Sequence, residues 1–115
     1  MRRALLLALV AAACGGGDVP PYAECSRNGD CAAPSDGCYE ILYTRDDGTA
    51  AGGPFCTLEC VGDEDCPDGG ACLALVGDPE RRFICFDRCA DSSDCYSGLT
   101  CTMTSGGASP VCLPD

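Results

Sequence analysis

The sequence predicts a small disulfide-rich protein built of tandem short β-hairpin modules with little regular secondary structure, behind an N-terminal signal helix. Three observations predict it. Cysteine fills 13 of 115 positions, a density that marks a disulfide scaffold in a short exported chain. The twelve cysteines from Cys25 onward recur in register as three groups of four. Between Cys25 and Asp115 there are only 15 Val, Ile, Leu, Phe and Met residues. That is too little apolar matter for a single sizeable core, so covalent bridges must supply what burial does not.

The N-terminus comes first. Met1-Arg2-Arg3 is a short positive region, and Ala4 to Ala13 is an apolar run without a charge or a breaker. Residues 1–13 therefore read as a signal peptide. As a helix the run spans only about 15 Å against a hydrocarbon layer of about 30 Å, so it is no permanent membrane span. Ala11-Ala12-Ala13-Cys14-Gly15 follows. It resembles the lipobox of bacterial lipoproteins, which implies an acylated Cys14 and the bilayer as a partner. The same three alanines fit the small-residue cleavage rule of ordinary secretion, which leaves a soluble secreted protein as the alternative. Parity bears on the choice, because acylation of Cys14 leaves twelve cysteines to pair and secretion leaves an odd thiol. Residues 14–24, with Gly15-Gly16-Gly17 and Pro20-Pro21, read as a flexible tether.

Three cysteine-rich units follow, at residues 25–58, 59–87 and 88–115. Their spacings are Cys25-x5-Cys31-x6-Cys38-x17-Cys56, Cys60-x5-Cys66-x5-Cys72-x12-Cys85 and Cys89-x5-Cys95-x5-Cys101-x10-Cys112. A period of about 30 residues means an array of small repeated units. An aspartate precedes each second cysteine, at Asp30, Asp65 and Asp94, and suggests one shared turn in which the carboxylate bonds nearby backbone N–H groups. Gly69 and Gly98 sit three residues after the second cysteine, as a left-handed turn position requires. After each third cysteine come two short extended segments around turn chemistry. They start at Tyr39 to Tyr43, Leu73 to Val76 and Thr102 to Thr104, and return at Pro54-Phe55-Cys56, Phe83-Ile84-Cys85 and Pro110-Val111-Cys112. Cysteine, glycine and proline interrupt any amphipathic helix in the repeats.

Each four-cysteine unit allows three connectivities, and spacing alone does not choose among them. The frame Cys60-Val-Gly-Asp-Glu-Asp65-Cys66-Pro-Asp-Gly-Gly-Ala-Cys72 leading to Cys85, shared with the third unit, resembles the N-terminal cysteine-rich domain of the dickkopf family. The likeness covers residues 25 to 112 and rests on cysteines and one aspartate. It concerns the scaffold, and the receptor biology of those secreted antagonists is not carried over. The resemblance implies pairing of first with third and second with fourth cysteine: Cys25 with Cys38, Cys31 with Cys56, Cys60 with Cys72, Cys66 with Cys85, Cys89 with Cys101 and Cys95 with Cys112. The rival scheme joins third to fourth across each hairpin and first to second.

Composition narrows the function classes. The formal net charge is −11, and beyond Arg3 five Arg stand against eighteen Asp and Glu. Phosphate backbones need clustered cations, so nucleic acid is not an expected partner. The sequence has no histidine, which removes Ser-His-Asp and Cys-His chemistry and histidine metal sites. No Cys-x-x-Cys pair occurs, export favours oxidation, and disulfides are expected over thiolate metal clusters or redox catalysis. Only Arg88, beside Cys89, could lower a thiol pKa.

Calcium merits weighing, because Asp63, Glu64, Asp65 and Asp68 surround Cys66 and Asp87, Asp91 and Asp94 surround Cys89. The EF-hand alternation fails at Pro67 and no glutamate closes the loop. Surface acidity is the expectation, with no metal and no cofactor. The chain is expected not to be an enzyme. It reads as an exported surface protein of the cell envelope, a binding or structural module for an envelope or extracellular protein or glycan, with display loops at Thr44 to Gly53, Gly77 to Arg82 and Thr104 to Pro110. The alternative is a small secreted protease inhibitor with Arg81 and Arg82 in the bait loop.

Overall fold

A computed structural model describes residues 17–45, 47–75, 80–103 and 109–114. The signal segment 1–13, Cys14, half of the second display loop and most of the third lie outside the described residues. Each unit contributes one antiparallel hairpin: β1 (Gly37–Thr44) with β2 (Ala50–Thr57), β3 (Ala71–Leu73) with β4 (Ile84–Phe86), and β5 (Leu99–Thr102) with β6 (Val111–Pro114). The chain is the small disulfide-rich hairpin protein that its cysteine register predicts. One boundary differs from the sequence reading. The first strand of each hairpin begins before the third cysteine and carries that cysteine within it, because the third and fourth cysteines are cross-strand partners: Cys38 opposite Cys56, Cys72 opposite Cys85, Cys101 opposite Cys112.

Those partners do not bond each other. The third cysteine reaches back to the first and the fourth to the second, giving Cys25–Cys38, Cys31–Cys56, Cys60–Cys72, Cys66–Cys85, Cys89–Cys101 and Cys95–Cys112 with Cα separations of 5.4 to 6.0 Å. These lie within the ordinary span for a bridge. The arrangement is the one the dickkopf resemblance implies, and the third-to-fourth scheme is absent. Its effect is to clamp the stretch between the first two cysteines onto both strands of the hairpin. That stretch holds a single 3-10 turn in each unit, at Asn28–Asp30, Asp63–Asp65 and Ser92–Asp94.

A third, one-residue bridge widens every hairpin. The residue before the first cysteine pairs antiparallel with the residue before the fourth: Glu24 with Phe55, Glu59 with Ile84, Arg88 with Val111. The fourth cysteine's N–H donates to the residue two before the first cysteine, at Ala23, Leu58 and Asp87, over 2.8 to 3.0 Å. The edge of β2, β4 and β6 is thereby paired, as buried backbone requires.

The units do not lie in a line. Ile41, Tyr43 and Phe55 of the first, Ala71, Leu75, Ile84 and Phe86 of the second, and Val111 and Leu113 of the third form one buried cluster. The shared core is small, as the thin apolar content predicts, but it is common to all three units. Seven of the fifteen large apolar residues enter it, which is possible because the return strands β2, β4 and β6 all touch one another. The Phe55 and Phe86 rings meet at 5.6 Å, and the Tyr43 hydroxyl donates to the Pro114 carbonyl at 2.9 Å, joining the first unit directly to the third. A linear array, in which each repeat contacts only its neighbours, would not make that contact.

The segment 14–24, read as a flexible tether, is corrected over its described part. Val19 forms a parallel bridge with Cys31, donating to the Asp30 carbonyl at 2.9 Å and accepting from Ala32 at 2.8 Å. Tyr22 is buried against Cys60, Cys66 and Cys85 of the second unit, and its hydroxyl donates to the Pro67 carbonyl at 2.6 Å. Gly70 makes room for it, since a Cβ there would stand 2.3 Å from the Tyr22 oxygen. The physical reason is the aromatic ring, which buries far more apolar area than the neighbouring glycines and prolines lose in chain freedom.

Candidate functional site

The repeated aspartates hold the turns between the first and second cysteines. Asp30 Oδ2 accepts from the N–H groups of Ser26 and Arg27 at 2.9 and 3.1 Å, Asp65 Oδ2 from Val61 at 2.9 Å, and Asp94 Oδ2 from Ala90 and Asp91 at 2.7 and 3.3 Å. The Ser26 N–H, with help from Arg27, holds the Asp30 carboxyl below its usual range. In each, the Oδ2 oxygen is engaged with the backbone of its own turn.

A second repeated position escaped the sequence reading. Three residues after each first cysteine stand Asn28, Asp63 and Ser92, and each side-chain oxygen accepts the N–H of its unit's third cysteine: Asn28 from Cys38 at 2.9 Å, Asp63 from Cys72 at 2.8 Å, Ser92 from Cys101 at 3.1 Å. Three different residue types conceal the recurrence. The signal that reveals it is that all three carry a short side-chain acceptor at the same register.

Of the acidic residues weighed for calcium, Asp63, Asp65, Asp91 and Asp94 bond protein groups. Asp63 Oδ2 also pairs with Arg88 at 2.8 Å, Glu64 folds back toward Gly62, and Asp91 accepts from the N–H and hydroxyl of Ser93. Arg88 is a strut between units: besides Asp63 it donates to the Gly69 carbonyl at 3.0 Å and to Ser109 at 3.3 Å. Asp87 is half-buried, and burial, with the neighbouring Asp68 and Asp94 charges, raises its pKa. Burial followed by Asp87 and Asp68 likewise raises the pKa of the Tyr22 hydroxyl. Within each unit three sulfurs lie within 4.8 Å of one another, Cys25, Cys31 and Cys56 in the first, and all three belong to bridges.

The two arginines of the expected bait loop differ, and Arg82 is packed against the first unit. Its guanidinium lies 5.2 Å over the Tyr39 ring, donates to the Glu40 carbonyl at 3.1 Å, and its side chain is 21 % exposed. Arg81 is exposed, with a φ of 52° in the left-handed region. Asp47 shapes the first display loop by accepting from the Thr49 N–H at 3.0 Å and its hydroxyl at 2.6 Å.

Two shallow clefts open at the same place in the first two units. One, of about 370 Å³, is lined by Val19, Glu24, Cys25, Ser26, Asp30 and Pro54. The other, of about 320 Å³, is lined by Glu59, Cys60, Val61, Asp65 and Phe83. Each lies between the residue before the first cysteine, the turn aspartate and the strand entering the fourth cysteine. The fold and these clefts define a class, a disulfide-stapled module of three hairpins. No protein-family model matches the chain, and neither a curated protein nor a solved structure is significantly similar to it.

Proposed function

We propose that the protein is exported, acylated at Cys14 and held at the cell envelope, where it serves as a binding or structural module for an envelope or extracellular protein or glycan. What carries the reading is that three hairpins, stapled by six disulfides, converge on one core. Bridges of this density persist in oxidising compartments, and a rigid frame presenting loops and shallow clefts is suited to recognition. The first-to-third, second-to-fourth pairing supports a dickkopf-like scaffold. No catalysis is assigned, since the repeated carboxylates serve the backbone and the chain has no histidine.

The test is the unreduced intact mass of protein extracted from cell envelopes with detergent and treated with a thiol-alkylating reagent. The reading expects diacyl or triacyl mass on Cys14 and no alkyl adducts. An unlipidated mass carrying several adducts overturns it. Photo-crosslinking from Gly48, in the first display loop, should then yield a discrete adduct in intact cells. Its absence from every display loop overturns the binding role.

A further inference from the structure

The three units share a scaffold, so an exposed large apolar side chain that one unit carries and the other two lack, outside the buried clusters, is not demanded by the common frame. The cleft of the second unit carries two such side chains. The residue after the first cysteine is Ser26 in the first unit, Ala90 in the third and Val61 here; the residue two before the fourth cysteine is Pro54, Pro110 and Phe83. Val61 is 94 % and Phe83 59 % exposed. Neither contributes to the shared core. The hairpin frame is built equally well with serine, alanine or proline at these positions, and Val61 and Phe83 stand out from the other exposed apolar residues because they border one cleft together.

Both line the same cleft as Glu59 and Asp65. At the position of Glu59 the third unit has Arg88, which is spent on Asp63 and Gly69, while in the first unit Glu24 is turned against Gly98. Glu59 keeps its main chain in place through its N–H, which donates to Asp36 at 3.2 Å, and through its bridge to Ile84. Asp65 closes the floor by its bond to the Val61 N–H. The second unit thus presents two apolar surfaces and two carboxylates around about 320 Å³, a volume suited to one long side chain.

We propose that this cleft is a docking site for a cationic segment of another protein. A lysine or arginine lays its aliphatic stem along Val61, brings its charge over the face of Phe83 and ends near the carboxylates of Glu59 and Asp65. The net charge of −11 favours such a partner and repels acidic ones. The inference deepens the binding-module reading and rests on it.

The test uses the full oxidised chain and two fluorescein-labelled probe peptides, one alternating lysine with leucine, the other alternating glutamate with leucine. Fluorescence anisotropy should report binding of the lysine peptide, weakened by added salt, and none of the glutamate peptide. The double variant Val61→Ser, Phe83→Pro gives the second unit the residue types of the first at both positions, so the frame is expected to accept it; an intact mass with six bridges checks this. It should weaken binding at least tenfold, and Phe83→Ser alone several-fold. Equal binding by wild type and variants, equal binding of both peptides, or none of either overturns the proposal. Sedimentation showing a wild-type dimer that the double variant abolishes would overturn it too, and would assign the cleft to a second copy. If the peptides fail while crosslinking from the display loops still captures a partner, the cleft is wrong and the binding module stands.

Discussion

At the residue scale the protein relies on short polar side chains that satisfy backbone groups the fold leaves unpaired. Asn28 illustrates it: a single oxygen closes the N–H of Cys38 at the start of the first strand. Asn28→Ala should lower stability of the oxidised protein by about 1 kcal/mol, seen as a lower guanidinium midpoint with no change in the disulfides. Asp87 works in the other direction. Its folded pKa is raised by burial and by Asp68 and Asp94, so the stability it contributes is complete below its unfolded pKa and lost as pH rises through the folded one. Asp87→Asn should therefore raise the midpoint at neutral pH, and the gain should shrink as pH falls through the raised folded pKa and be gone below the unfolded value of about 4. A gain that is constant between acid and neutral pH would remove this account.

At the scale of elements, the stretch before the first unit behaves as part of the fold. Tyr22 couples it to the second unit through its buried ring and its bond to Pro67. Tyr22→Phe keeps the ring and should cost about 1 kcal/mol, whereas Tyr22→Ala leaves a cavity among the cysteines of the second unit and should cost about 3 kcal/mol. Amide exchange should show the difference locally, with Ala32, whose N–H is held by Val19, exchanging faster in the alanine variant. The hairpins themselves were legible as short extended segments on either side of turn residues. Their boundaries were not, because these short strands are held by bridges to the stretch between the first two cysteines and not by their own propensity. The Gly69 and Gly98 positions were legible for a simple reason: their φ values of 74° and 89° are steric demands on single residues.

At the scale of the molecule, two stabilising terms act together. Bridges closing loops of 12 to 25 residues are worth about 3 kcal/mol each in the chain-entropy treatment, and the shared core joins the units into one cooperative body. Full reduction should abolish near-UV circular dichroism and protease resistance; a reduced form that kept both would show that the core alone suffices. The core makes a separate prediction. Phe55→Ala, in the first unit, removes the ring that meets Phe86 and should cost about 3 kcal/mol while exposing the second unit to proteolysis. Cleavage confined to the first unit would mean that the hairpins are independent.

What the sequence determined by itself was the covalent plan: cysteine register, repeat count, turn aspartates and glycines are local properties that the chain states outright. The resemblance supplied a pairing that the spacing left open. Only the tertiary structure decided that the three units close on one another, that residues 17–24 are docked, that Arg82 is stacked on Tyr39, and that Val61, Phe83, Glu59 and Asp65 border one cleft. Each depends on contacts between residues distant along the chain, such as Tyr43 with Pro114 or Tyr22 with Pro67. Such contacts are set by how three-dimensional surfaces fit, and a one-dimensional spacing carries no record of which faces will meet.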